Sequence, residues 1–301
     1  MLLLMLLQLL VGGNGHAEVG FHFVDEAAPE AVTKNQQFVF QMLAPGGKEI
    51  EIDIEGETTE SLAAIAEARA AGRWRPELRA PMILDQLLLC QKQEIKSCAL
   101  LEGIEVSTAF LVKDPHFVVG TFHGLEDLAS SLERRGIKAE GMRLPVALLN
   151  GEGEVVRRGL TVHKLLSPEE NNGLDLSFFT AEGFEGGIPL AGGMKADEET
   201  YALGFASATF TRGRFGKKDA VTDRLSFTRG HKLGGLSLRS LFSSNSYLRT
   251  SHDGNGGLSG GPLLNGAGEV AGVVASGVFG DKEEAPEALL SSDISFALRT
   301  I

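Results

Sequence analysis

Short apolar runs broken by glycine, asparagine and aspartate fill the chain from about residue 94 onward. They predict strands at 97–103, 106–112, 116–120, 143–149, 154–165 and 174–180. A second set is predicted at 200–207, 224–229, 247–251, 262–265, 269–276 and 292–298. Strands in two such groups imply an all-β fold, either two barrels or a sandwich, and not alternating βαβ units. One helical stretch, LEDLASSLERRG, follows His123. Upstream the texture differs. Phe38, Phe40 and Met42 alternate with Gln37, Val39 and Gln41, and Ile50, Ile52 and Ile54 alternate with Glu51 and Asp53, with APGG between them as a turn. Leu62, Ile65, Ala66 and Ala70 have helical spacing and Gly72 is a stop. RWRPELRAP reads as a charged linker. Residues 18–82 are therefore read as a small α+β N-terminal extension or propeptide, and 83–301 as the main domain.

Composition narrows this. Of 301 residues, 43% are hydrophobic, enough for a substantial core, and 38 glycines supply many tight turns. A net charge of −12 offers no basic stripe, so nucleic acid is not an expected partner. The opening MLLLMLLQLLVGGNGHA has an apolar run at 1–11 and small and polar residues up to Ala17, the layout of a secretory signal peptide over residues 1–17. That run is too short to span a bilayer as a helix, and no other stretch is apolar enough to do so. Export would place Cys90 and Cys98 in an oxidising compartment, where a disulfide between them is the expected state. The chain is expected to be secreted or periplasmic.

The densest chemical signal is DGNGGLSGGPLLNGAGEVAGVVASG, residues 253–277. Gly256, Gly257, Gly260 and Gly261 bracket Ser259, so the chain must turn sharply there. Such a turn can aim backbone N–H groups at the space beside the hydroxyl, as acyl transfer requires. A glycine-rich hairpin with an incidental serine would read the same way.

This segment resembles the nucleophile loop of trypsin-like serine proteases, most closely the bacterial high-temperature-requirement branch, whose loop runs Asn-Pro-Gly-Asn-Ser-Gly-Gly-Pro-Leu. The likeness continues through Leu263, Leu264, Gly268, Glu269, Val270 and Gly272. STAFLVKDPHFVVGTFHGLED resembles the family's strand-turn-strand leading to a histidine, here His123. NNGLDLSFF resembles its aspartate at the head of an apolar strand, here Asp175. Asp197, Asp219 and Asp223 are rivals in chain order but have no apolar strand behind them. The resemblance spans residues 95–301, ending on SSDISFALRTI as a final barrel strand, with no PDZ domain expected after it. It implies two six-stranded antiparallel β-barrels of the chymotrypsin-like kind and a serine endopeptidase acting on polypeptides. Ser259 would be the nucleophile, His123 the base and Asp175 its orienting acid, with the N–H groups of Gly257 and Ser259 forming the oxyanion hole. No cofactor or metal is expected.

Departures from the family bear on activity and specificity. Leu258 stands where the family carries Asp or Asn, and an apolar residue cannot give the usual polar brace. On this reading asparagine at 258 is expected to raise turnover, and a weak or inactive protease-fold binding protein is the alternative function. Asp253, six residues before Ser259, resembles the charged floor of a trypsin-like substrate pocket, and Gly277 the small residue on its wall. Together they imply cleavage after Arg or Lys, although Asp253 could instead cap the loop it begins. His252 beside it could favour acidic substrates. GLSGG also satisfies the GxSxG pattern of esterases, but that elbow needs a strand before, a helix after and histidine last in chain order, whereas here an apolar strand follows the serine and His123 comes first.

Overall fold

The structure is a computed structural model that describes residues 21–24, 27–171, 174–205, 224–233, 247–252, 258–278 and 288–298. The described residues open with β1 (Phe21–Phe23) and a one-turn helix α1 (Glu30–Thr33). Six strands then close into an antiparallel barrel: β2 (Val39–Asp53), β3 (Ser97–Val112), β4 (Phe117–Gly120), β5 (Arg143–Leu149), β6 (Val155–Leu166) and β7 (Leu176–Thr180). Their order around the barrel is β2-β3-β4-β7-β6-β5, with β5 returning to pair β2. Period-two alternation sets the two faces. Phe40, Met42 and Ala44 of β2 fill the barrel with Leu111, Val118, Leu148 and Phe179. The alternate residue Val39 packs outward in a cluster that joins Phe110, Val119 and Phe178 to Tyr201 and Leu203 of the second sheet. Each such fully buried large side chain contributes about 1.5–3 kcal/mol.

The second sheet contains β8 (Glu199–Gly204), β9 (Ser226–His231), β10 (Tyr247–Thr250), β11 (Pro262–Asn265), β12 (Val270–Val278) and β13 (Ala288–Asp293). Its order is β1-β9-β8-β11-β12-β13-β10. The expected second six-stranded barrel is thus corrected to an open seven-stranded sheet, to which β1 adds an edge strand. The end of β9 does meet the end of β10: Lys232 bridges Thr250, and Ser251 donates its N–H to the His231 carbonyl at 3.0 Å. Among the described residues a single bridge joins these two strands. The expected last strand at 292–298 is also corrected. The strand ends at Asp293 and the chain turns into α5 (Ile294–Ala297), whose Ile294 and Ala297 are buried in the core.

Residues 49–101 correct the N-terminal reading further. β2 and β3 run beyond the barrel as a two-stranded ribbon, and APGG is a bulge within β2, between Gly46 and Glu49, not a turn. The predicted strands 97–103 and 106–112 are one continuous strand, β3. On the ribbon lie α2 (Thr59–Ala70), capped by the Thr58 hydroxyl accepting from Ser61 N–H, and α3 (Pro76–Lys92). The supposed linker RWRPELRAP is thus the start of a helix. Pro76 sits in its first turn, where a missing N–H costs nothing, and Leu78, Met82, Ile83, Leu87 and Cys90 form its buried stripe. Ile52, Leu62, Ala66, Ile83, Leu87 and Leu100 make a satellite core between ribbon and helices. Cys90 and Cys98 are joined by a disulfide, their Cα atoms 5.7 Å apart, which ties the end of α3 to the start of β3. The boundary drawn at residue 82 falls inside α3, and loss of residues 18–82 would remove β2 from the closed barrel. The barrel therefore starts at Val39, with residues 54–96 inserted between its first two strands.

Candidate active site

The β4–β7 ladder brings two of the candidate residues together. Its register pairs Gly120 with Ser177, so in this antiparallel arrangement Asp175, two residues before Ser177, meets the chain just after Gly120. His123 opens the 3₁₀ turn His123–Leu125, which leads directly into α4 (Glu126–Glu133). The Asp175 carboxylate, 7% exposed, takes both of its bonds from this one residue. Oδ1 accepts the His123 backbone N–H at 2.9 Å, and Oδ2 lies 2.5 Å from His123 Nδ1. Such a pair fixes Nδ1 as the donor and leaves Nε2 free to accept a proton. Burial pushes the His123 pKa down, but the Asp175 hydrogen bond and charge, aided by Glu126 and Glu105, outweigh it and raise the pKa above the usual 6.5. The buried Ser177 hydroxyl donates to the Thr121 carbonyl at 3.1 Å and braces the strand end that carries His123. Of the rival aspartates, Asp197 sits in an exposed turn with φ of 58°, and Asp219 and Asp223 lie outside the described residues.

Ser259 lies between β10 and β11 in a turn that the first barrel holds in place. Its carbonyl accepts from Thr108 N–H of β3 at 2.8 Å. Gly260 N–H donates to the Val274 carbonyl at 2.7 Å, and Val274 N–H returns a bond to the Gly261 carbonyl at 2.9 Å. Both glycines are steric requirements. A Cβ on Gly260 would sit 1.9 Å from the Thr108 carbonyl oxygen, and one on Gly261 1.8 Å from that of Leu203. The Gly260 Cβ position is also 3.3 Å from Thr121 N, so this turn abuts the segment that leads into His123. Among the described residues no acceptor takes the Ser259 N–H. The Ser259 hydroxyl itself points to the Ala275 carbonyl of β12 at 3.4 Å, and no bond to His123 is present among the described contacts. The structure thus joins His123 to Asp175 and seats the Ser259 turn against the same barrel, with the hydroxyl turned toward β12. Catalytic hydrogen bonds of this kind are often long or unformed before substrate binds.

Leu258 is corrected from a missing brace to an apolar one. It is fully buried, packed with Ala202, Leu263 and Val274, and its Cα lies 3.0 Å from where a Cβ on Gly204 would be. Leu258→Asn is therefore expected to lower stability by about 3 kcal/mol, through lost packing and an unpaired buried amide. It should lower turnover as well; urea unfolding and steady-state cleavage rates check both. His252 is likewise fully buried. Its ring nitrogens lie 2.8 Å from the Thr200 hydroxyl and 2.9 Å from that of Thr228, and burial pushes its pKa down to about 3. It is a neutral core residue that joins β8, β9 and β10, and has no face toward a substrate. Gly277 lies in β12 opposite Leu289 of β13, while Asp253 and Gly257 lie outside the described residues. Sequence reading missed Thr108 and Ala275, whose backbone atoms hold the turn and the hydroxyl. Backbone partners have no side-chain signature.

No protein-family model matches the chain, and no curated protein matches it. Among solved structures it is similar to the serine endoprotease from Yersinia pestis, at 12% identity and a TM-score of 0.46, with 89% of this chain covering 63% of that one. It is also similar to the HtrA-type protease AlgW with tripeptide, at 12% identity and a TM-score of 0.47, with 89% of this chain covering 60% of that one. The chain thus spans less than two thirds of the length of these proteins. Likeness at this level bears on neither the site residues nor their chemistry.

Proposed function

We propose that the chain is a serine endopeptidase that cuts polypeptides through an acyl-enzyme, with Ser259 as nucleophile, His123 as general base and Asp175 as the residue that orients and charges the imidazole. The observation that carries this reading is the bidentate hold of Asp175 on His123 beside a serine turn in which no larger residue than glycine fits at 260 or 261. Rotation of the Ser259 hydroxyl away from Ala275 would present it to His123 Nε2. The proton would pass to the imidazole as the hydroxyl attacks the scissile carbonyl, and then to the leaving amine. The Ser259 N–H, which no acceptor takes among the described residues, would with that of Gly257 receive the developing oxyanion. Cleavage after Arg or Lys rests on the sequence positions of Asp253 and Gly277. Export through residues 1–17 is proposed on the sequence alone, and the Cys90–Cys98 disulfide suits an oxidising compartment. Among the described residues no helix is long and apolar enough to cross a membrane.

The pH profile of peptide hydrolysis tests this assignment. The base must be neutral, so kcat/KM is expected to rise with pH through a midpoint above 6.5, the side to which Asp175 displaces His123. Asp175→Asn should move the midpoint down, because the charge that favours the imidazolium is gone, and should lower the plateau, because the ring loses its orienting acceptor. A flat profile, or one that Asp175→Asn leaves in place, would count against His123 as base. The second reading is a protease-fold binding protein without turnover. It is favoured by one observation, the hydrogen bond of the Ser259 hydroxyl to the Ala275 carbonyl, and it expects no hydrolysis at any pH.

A further inference from the structure

A second site is built where the inserted helix pair meets the β5–β6 hairpin. A cleft of about 730 Å³ opens there, within the range of small-molecule sites. None of its lining residues belongs to the candidate active site. One face of α3 supplies Leu84, Asp85 and Leu88, and the facing strands supply Arg143, Leu144 and Arg158. The residues at 84, 85 and 88 follow helical spacing, so Asp85 interrupts an apolar stretch of wall that ends at Lys92.

Asp85 is half-buried, and no hydrogen bond or ion pair holds its carboxylate among the described residues. Burial raises its pKa, and the charges of Arg158 and Arg143 only partly offset that, because neither guanidinium comes within ion-pair distance. Arg143 is fixed away from it. Its Nη2 donates to the Arg158 carbonyl at 2.6 Å, and its Nε lies 2.3 Å from where a side chain on Gly159 would begin. The exposed Glu67 and Lys92 line the same cleft, so the half-buried Asp85 carboxylate sits among exposed charges of both signs, and it and the two guanidiniums are too far apart to pair.

A simple cation would satisfy Asp85 but meet Lys92 and two repelling guanidiniums, and a simple anion would meet Asp85 and Glu67. A ligand with both charges, separated by more than a contact distance, would satisfy both ends. We propose that this cleft binds a short zwitterionic peptide with apolar side chains, its ammonium on Asp85 and its carboxylate on Arg143 and Arg158. Two extended residues reach about 7 Å, which is more than a contact distance. The side chains would lie against Leu84, Leu88 and Leu144. The site does not depend on the peptidase reading.

The test is isothermal titration of leucyl-leucine into full-length Ser259→Ala protein, so that the heat is independent of hydrolysis. Saturable binding is expected, weakened at least tenfold by Asp85→Asn and by Arg158→Gln, and lost when the dipeptide is acetylated and amidated. Circular dichroism checks that the variants fold. Should Asp85→Asn fail to fold, Arg158→Gln and the capped dipeptide still decide the matter. Absence of binding at millimolar dipeptide, equal binding of the capped form, or unchanged affinity in the folded variants would overturn the proposal.

Discussion

Replacing either Ser259 or His123 with alanine is expected to abolish peptide hydrolysis, with a loss on the order of 10⁴- to 10⁶-fold in kcat for each, and the double replacement should be no worse. The reason is that the two side chains act in one step. Without His123 the hydroxyl keeps its proton, and without Ser259 the imidazole has no nucleophile to activate. Neither change should unfold the protein. The His123 ring makes its hydrogen bond at a partly exposed edge of the barrel, and Ser259 offers its hydroxyl only a long bond to Ala275. Cleavage of an unstructured protein substrate, read beside circular dichroism of each variant, separates lost chemistry from lost fold. Strictly additive losses would mean that the two residues do not share a step.

The second large effect is expected at Gly260, a residue that performs no chemistry. Its φ of 87° already disfavours a side chain, at a cost of about 1–3 kcal/mol. The steric term is harsher, because the added carbon would lie 1.9 Å from the Thr108 carbonyl oxygen, a backbone atom inside the β2–β3 ladder that cannot swing aside. The turn must then move off the barrel and take Ser259 with it. A displacement of about 1 Å at a nucleophile costs on the order of 10²-fold in rate. Gly260→Ala should therefore lose both stability in urea and most of its activity, whereas Gly151→Ala, where an added carbon meets nothing within 4 Å, should lose neither. A Gly260→Ala protein as stable and active as the parent would show that the turn is not held as described.

What the sequence made legible was what is written in side chains. The alternation of Phe40 and Met42 with Val39 and Gln41 identified a strand, and the apolar stretches after residue 94 gave the barrel strands to within a few residues. Which sheet a strand joins is written in pairing partners that lie far away along the chain, so β2 was assigned to an extension when it pairs with both β3 and β5. Prolines misled at α3. Pro76 and Pro81 suggested a linker, although Pro76 only opens the helix and the apolar stripe from Leu78 to Cys90 runs straight through Pro81. At the site, the pairing of His123 with Asp175 follows from the β4–β7 register, which the chain order only hinted at. Leu258 shows the opposite limit. As a residue type it looked like a lost polar contact, and only the apolar pocket formed by Ala202, Leu263 and Val274 reveals it as a buried brace.

Covalent labelling by a fluorophosphonate, mapped by mass spectrometry, puts the central claim to its most direct test. At a pH well above the His123 midpoint, the folded wild-type protein should carry a single adduct on Ser259. That adduct should be absent from Ser259→Ala and formed far more slowly in His123→Ala. Folded wild-type protein that stays unlabelled, or that carries its adduct on a different serine, would contradict it.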